Sequence, residues 1–511
     1  MGKRKGKRET LRDPKAEEEL SVSCPEAVAA ETDAGDESNG GGAATEETEK
    51  AIVSLTEAVA EIVPSDLAAY LREVLDKHWP IPEKQILILV DYFGDKLSQV
   101  SFQWVKMFKE TPSSTLIDVP FSQIPTPIYE TSVDFINKLP FETTLRAFVL
   151  WASDLILTEW PGVVKVEQLN SDKSKVGAFV ALAMVLRSKP DALTTVLPKL
   201  RERPTYQGED KLPVIFWMMA QASQGDLSAG LYSWACNLLP LVGNNNCYSP
   251  QAMDLILQFV EMILLNPEAQ TILVNEAVRE GERLIPPSSF KILVQHTFPA
   301  SSSRVEATKR FEAIYPLLKE VALAPESSTG SNAVKQIFTF SLRLAGECYG
   351  NPVLAKEAIA IAICCMTKNV DCFKHWDILY KENIEASAAL LKKLVHEWKD
   401  NSLKLSSLPS HTLAVKHTIL SFRMKNEIAI TEGEFNCFFY KEADKSCKMI
   451  LTRISRGSGG LQIAPIIAMV IAAAGVAAGG IAGAALALIF SEAKSASSTW
   501  TMIKNWLYLT L

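Results

Sequence analysis

Between Arg456 and Glu492 the chain runs for thirty-five residues without one ionisable side chain, and the core of that run, 461–490, reads LQIAPIIAMVIAAAGVAAGGIAGAALALIF. A helix uncharged on every face over such a length has no side to turn to water. About 20 predominantly apolar residues suffice to cross ~30 Å of hydrocarbon with every backbone group bonded internally. The run therefore predicts a C-terminal transmembrane helix over 461–490. As one straight helix it would be ~45 Å long, so it tilts, bends near Gly479 and Gly480, or emerges on one side. Thirteen large apolar residues, eleven Ala and four Gly make insertion favourable by a narrow margin. Gly475, Gly479 and Gly483 recur at every fourth position. They leave bare backbone on one face, where a second helix, including one from another copy of the chain, can approach closely. The plainer alternative is that small residues merely fill a weakly apolar anchor.

Upstream of the span Lys441, Lys445, Lys448, Arg453 and Arg456 outnumber Glu442 and Asp444, whereas only Lys494 and Lys504 follow it. The basic side is expected to stay cytosolic. Residues 448–460 read as a basic, Gly-rich linker, and 491–511 as a short amphipathic or interfacial tail with Trp500, Trp506 and Tyr508 as aromatic anchors. A single pass puts that tail in the lumen; a hairpin returns it to the cytosol.

The other end of the chain is of a different kind. Residues 1–69 contain no Phe, Tyr or Trp, and Glu9 to Glu49 holds thirteen acidic against two basic residues. Such a stretch buries too little apolar surface to offset its ordering entropy, so 1–49 is expected to be a disordered, basic-then-acidic tail. Lys3, Arg4, Lys5, Lys7 and Arg8 at its head could touch anionic lipid, RNA or an import receptor, or simply be solvated. Nine cysteines spread over the chain without an even, closely spaced framework, and the absence of any Asn-x-Ser/Thr acceptor, fit a body in a reducing compartment. The net charge of −7 comes largely from the tail, and the near-balanced remainder argues against a nucleic-acid-binding surface.

From 50 to 447 amphipathic stretches with helical spacing alternate with short Pro, Ser, Asn and Gly breaks. Helix openings are read at Pro64 with Asp66, Pro140, Ser171 with Asp172, Pro190 with Asp191, Asp226, Ser249 with Pro250, Pro267, Ser301 to Ser303, Asn351 with Pro352, and Pro409 with Ser410. The intervals give helices of roughly 12 to 20 residues and few strands, so the expected class is all-α. Paired helices of that length over about 400 residues suit an irregular α-solenoid of the HEAT or armadillo kind, although no strict repeat is present.

Within this body Phe216, Trp217, Met218 and Met219 are consecutive bulky residues, which implies burial all round their helix. Gln221, Gln224 and Asp226 follow, with Gly225 between, and Trp234 lies beyond. One reading is a helix stop at Gly225 and an N-cap at Asp226. The other makes Trp217, Gln221, Gln224, Asp226 and Trp234 the rim of a groove that grips a partner peptide. The runs FVLWASD at 148–154, KPDAL at 189–193, KLPVIFWMMAQASQGDL at 211–227 and GLYSWA at 230–235 resemble the transmembrane protein 214 family. That resemblance implies a helical cytosolic body, a C-terminal anchor in the endoplasmic reticulum membrane and, for animal members, a part in stress-induced cell death by recruiting a caspase precursor. It brings no catalytic residues.

Candidates for chemistry are few. Gly346-Glu347-Cys348-Tyr349-Gly350 imitates a nucleophile elbow, but that motif needs a strand before it, and here helical spacing precedes it. Cys364, Cys365, Cys372 and His375 lack a paired ligand spacing for zinc and read as inert buried thiols near a histidine. No cofactor or metal is expected. The expected function is a non-enzymatic scaffold or adaptor that recruits cytosolic partners to the membrane. The alternative is a lipid-handling, tethering or membrane-shaping factor.

Overall fold

The computed structural model of the chain describes residues 53–78, 82–139, 142–161, 163, 172–243, 249–325, 332–347, 350–405 and 409–457. The expected tail 1–49, the span 461–490 with Gly475, Gly479 and Gly483, and the tail 491–511 lie outside those residues. Among the described residues no helix is long and apolar enough to cross a membrane.

The described part is helical apart from one short hairpin, as the spacing of its apolar residues requires. Local chemistry sets the helix starts. Ser54 accepts from the Glu57 amide while the Glu57 carboxylate takes the Ser54 amide, a reciprocal cap for helix Leu55–Ala60. Ser249 caps Pro250–Leu264 through the Ala252 amide, and Asn351 caps Pro352–Lys368 through the Leu354 amide. Both starts carry Pro in the first turn, where its missing N–H costs nothing.

Two packing regimes follow. From 332 onward, sequence neighbours fold back on one another: Asn332–Glu347 packs on Pro352–Lys368, and Pro409–Glu432 on Cys437–Gly457. Helix Ile384–His396 also packs on Cys437–Gly457, across the helices between them in the sequence. Nearer the N-terminus the order is less regular. Helix Asp172–Ser188 is in contact with helices Pro82–Lys96, Thr126–Lys138, Glu142–Leu157 and Leu212–Gly225, and its residues from Val176 to Leu186 are buried on every side. That arrangement is a central core helix. The close approach of Pro82–Lys96 is possible because residue 177 is Gly: a Cβ there would lie 2.4 Å from the Val90 carbonyl oxygen. Around this helix Phe179 stacks on Trp217 at 4.6 Å between centroids, and Phe108 meets Trp217 edge-on at 5.8 Å.

Two features depart from the expected pattern. A hairpin pairs Val278 with Arg283 and Arg279 with Glu282, its turn built on Glu280 at φ 50° and Gly281 at φ 87°. The second is a π turn, Trp234–Leu238, closed by the Leu239 amide on the Trp234 carbonyl. Pro240 has no N–H to offer the Cys236 carbonyl, and Arg201 donates to that oxygen instead at 3.2 Å. Ser289 takes the adjacent Ala235 carbonyl at 2.7 Å.

The basic stretch expected as a linker from 448 is instead the last part of helix Cys437–Gly457. Cys447, Ile450 and Leu451 are buried there, and that apolar spacing holds the helix through residues whose charges suggested a linker.

Candidate functional site

Asp226 sits where helix Leu212–Gly225 stops and helix Leu227–Ser233 starts. Its backbone is extended at φ −158°, and its carboxylate accepts from the Ser228 amide at 2.8 Å, the Ala229 amide at 3.3 Å and the Ser228 hydroxyl at 2.7 Å. The stop-and-cap reading is therefore the one the chain adopts. Gly225 permits the tight approach just before it: a Cβ would lie 2.0 Å from the Arg187 carbonyl oxygen.

The cap is also one end of an ionic bridge. Arg279, carried by the hairpin, donates to Asp226, to the Ser228 hydroxyl at 2.7 Å, and to Asp191 at the start of helix Asp191–Thr194. Burial alone would raise the Asp226 pKa, but the hydrogen bonds from Ser228 and Arg279 and the Arg279 charge outweigh it and hold the carboxyl below its ordinary value. On the other strand of the hairpin, Arg283 donates to the Ala322 and Ala324 carbonyls at 3.0 and 2.9 Å, at the C-terminal end of helix Glu306–Ala322. The hairpin thus staples a helix start on one side and a helix end on the other. Nothing in the sequence reading singled out Arg279 or Arg283. The available signal was Gly281 inside an Arg-Glu-Gly-Glu-Arg run, a weak turn mark because Glu rather than Asn or Asp precedes the Gly.

The residues expected to rim a groove divide into two groups. Trp217, Gln221 and Trp234 are fully buried, so they are withdrawn from any partner surface. They do grip a peptide, but it is the chain's own. The Trp217 indole N–H donates to the Val119 carbonyl at 2.8 Å, and the Gln221 amide to the Ile117 carbonyl at 2.8 Å. Arg187 adds a bond from Nη2 to the same Ile117 oxygen at 2.9 Å, another from Nε to the Gln221 oxygen at 2.7 Å, and lies over the Phe121 ring at 3.9 Å. The Trp234 indole donates to the Ile256 carbonyl at 3.0 Å. A segment about a hundred residues upstream fills the place a partner was expected to take; local spacing cannot reveal it.

Gln224 and Asp226 do reach the surface, at the mouth of a cleft of about 610 Å³. Leu227, Ile263 and Ile272 line it together with Gln224, Asn266 and Glu276. Leu265 stands at its edge 81% exposed, a large apolar side chain held in water where Pro250–Leu264 ends. Apolar side chains interspersed with amide and carboxylate groups can hold an apolar side chain of a peptide while its backbone bonds to the polar groups. Asp226 is already committed to the cap and to Arg279.

The remaining chemical candidates sit as follows. Helix Asn332–Glu347 ends within the Gly346–Gly350 run, and Gly350 takes φ 89° before the Asn351 cap. Cys365 and Cys372 are buried, Cys364 is half-buried, and His375 Nε2 is 2.8 Å from the Thr339 hydroxyl. Burial pushes the Cys365 thiol well up and the Cys372 thiol up to about 12. Among the described residues no group of three or more His, Cys, Asp or Glu is placed to hold a metal ion.

Comparison with known proteins accounts for most of the chain. The profile of a family described as "TMEM214, C-terminal, caspase 4 activator" matches residues 5–478. Transmembrane protein 214-A of Xenopus laevis is 26% identical over 292 residues, 55% of this chain and 38% of that protein. Transmembrane protein 214 of Homo sapiens is 24% identical and that of Mus musculus 25%, each over 54% of this chain and 37% of the relative. The match thus spans under two fifths of the length of these relatives. No solved structure matches the chain. With the profile covering the whole of the helical body, the chain belongs to the transmembrane protein 214 family.

Proposed function

We propose that this protein is a non-enzymatic adaptor, anchored by 461–490 in the endoplasmic reticulum membrane, whose cytosolic helical body recruits soluble partners, a caspase precursor among them. The observation that carries the reading is the family match over 5–478, with its description as a caspase 4 activator. The uncharged 461–490 run supports the anchor. The cleft between Gln224 and Leu265 supports peptide recognition, since an 81% exposed leucine beside Leu227 and Ile272 is surface that a partner would cover. Confinement to a membrane raises the effective concentration of whatever is captured without requiring any chemistry. In this reading the link to stress-induced cell death comes from bringing caspase precursors together.

The test has two parts. The full chain is expected to resist alkaline carbonate extraction from microsomes while external protease digests the helical body; release by carbonate would end the anchor reading. In cells, the chain is expected to capture the caspase-4 precursor, and Leu265→Asp to cut capture at least tenfold with unchanged thermal stability. Capture by neither form would end the adaptor reading. Equal capture by both would move the partner site away from this cleft.

A further inference from the structure

We propose that the solvent face of helix Cys437–Gly457, with the groove it forms against helix Ile384–His396, is a docking surface for anionic phospholipid headgroups and lies along the bilayer. The inference rests on the anchor reading above and adds a second, peripheral membrane contact.

The helix is two-sided. Tyr440, Ala443, Cys447, Ile450 and Leu451 are buried against helices Pro409–Glu432 and Ile384–His396. At ~100° per residue, Phe438, Lys441, Lys445, Lys448, Met449, Thr452 and Arg456 fall within an arc of about 100° on the opposite side. All of them are exposed, Phe438 by 70% and Met449 by 37%. Basic residues interleaved with large apolar ones over ~30 Å of helix make a face suited to the boundary between headgroups and acyl chains, where ammonium groups meet phosphate and the apolar groups enter below. Where the two helices meet, Lys392, Lys393, His396 and Arg453 line a groove of about 560 Å³. Arg453 is fixed there by its bond to the Val395 carbonyl, and Lys393 is held by Glu397 at 2.5 Å, while Lys392 and His396 are exposed. Carboxylates cancel only part of this charge, at Lys393 and Lys448. Asp444 is turned to Arg423 at 3.2 Å and takes Lys448 at 2.6 Å, and Glu442 is half-buried.

Position in the chain names the occupant. The helix persists to Gly457, and the apolar run starts at Leu461. Whatever conformation the intervening residues take, four Cα steps span at most ~15 Å. With 461–490 in the bilayer, the end of the helix is held close to the headgroup layer, so the basic face and groove are brought to phosphate rather than to a distant macromolecule. An acidic protein segment shares the charge but would not call for exposed Phe438 and Met449 at the same face.

The experiment uses the full chain reconstituted in vesicles of phosphatidylcholine alone or with 30% phosphatidylserine, treated with an uncharged acetylating reagent and read lysine by lysine by mass spectrometry. Lys392, Lys441 and Lys445 are expected to react at least threefold more slowly on the anionic vesicles, the difference vanishing in 1 M salt, with Lys77 and Lys309 unchanged. The triple variant K441E/K445E/R456E is expected to abolish the protection of Lys392 while remaining resistant to carbonate. Equal rates on both vesicles overturn the proposal, as does protection by a polyglutamate peptide without protection by phosphatidylserine, which would assign the face to an acidic protein. Should carbonate release the chain, the anchor reading fails separately, and flotation of the same chain with the two vesicle types still decides the lipid surface: serine-dependent flotation supports it and equal flotation overturns it.

Discussion

Arg279 shows how a residue with no local signature can govern a local motif. The Asp226 cap was legible from Gly-Asp followed by small residues, because a cap is satisfied by amides two and three positions on. Its ionic partner lies 53 positions away in a hairpin whose turn residues carry little signal. Replacing Arg279 with Met leaves two partly buried carboxylates beside each other with their shared cation gone, at an expected cost of about 2 kcal/mol. That corresponds to a fall in Tm of roughly 4 °C, measured by far-ultraviolet circular dichroism of the full chain in micelles. The effect has a sign in pH. Asp226 is depressed in the folded chain, so its stabilisation is fully present above the unfolded carboxyl value of about 4 and is lost as pH falls through the lower folded value. The gap between wild type and Arg279→Met is accordingly expected at neutral pH and should close in strong acid; a gap that widens on acidification would contradict this linkage.

At the scale of elements, what the sequence makes legible is periodicity, and what it hides is contact. The helix starts at Pro64, Asp172, Asp226, Pro250, Pro352 and Pro409 stand where capping and proline chemistry put them. The π turn needs Arg201 to serve the carbonyl that Pro240 abandons, and the clamp on Ile117 and Val119 needs Trp217, Gln221 and Arg187 from two other helices. Those are tertiary agreements that no window of sequence contains. Glycines test the distinction, because helix propensity alone favours Ala over Gly everywhere by up to ~1 kcal/mol. Gly225→Ala is expected to destabilise by about 3 kcal/mol, since the new methyl meets rigid backbone at the Arg187 carbonyl. Gly346→Ala, where the nearest atom is the Ala386 Cβ at 3.6 Å, is expected to be neutral or stabilising by about 0.5 kcal/mol. Chemical unfolding of the two variants side by side checks the opposite signs.

For the molecule as a whole, the all-α class follows from spacing alone, whereas the regular stacking of a solenoid does not, because the central helix Asp172–Ser188 gathers helices from both sides of it in the sequence. Of the residues anticipated around a groove, Gln224 and Asp226 line a surface cleft, whereas Trp217, Gln221 and Trp234 make internal bonds that only the fold reveals. The sulfur atoms of this body have a consequence of their own. Cys236, Cys365, Cys372 and Cys447 are all buried, spread over four different helical segments. Burial raises each thiol, Cys236 to about 11, far from the value at which a free cysteine becomes a nucleophile. Alkylation at neutral pH is expected to run at least ~100-fold slower than for a free thiol while each segment stays closed. The four positions thus form a set of native stopwatches: the order in which a maleimide marks them during mild heating records which part of the body opens first, with no engineered label at all.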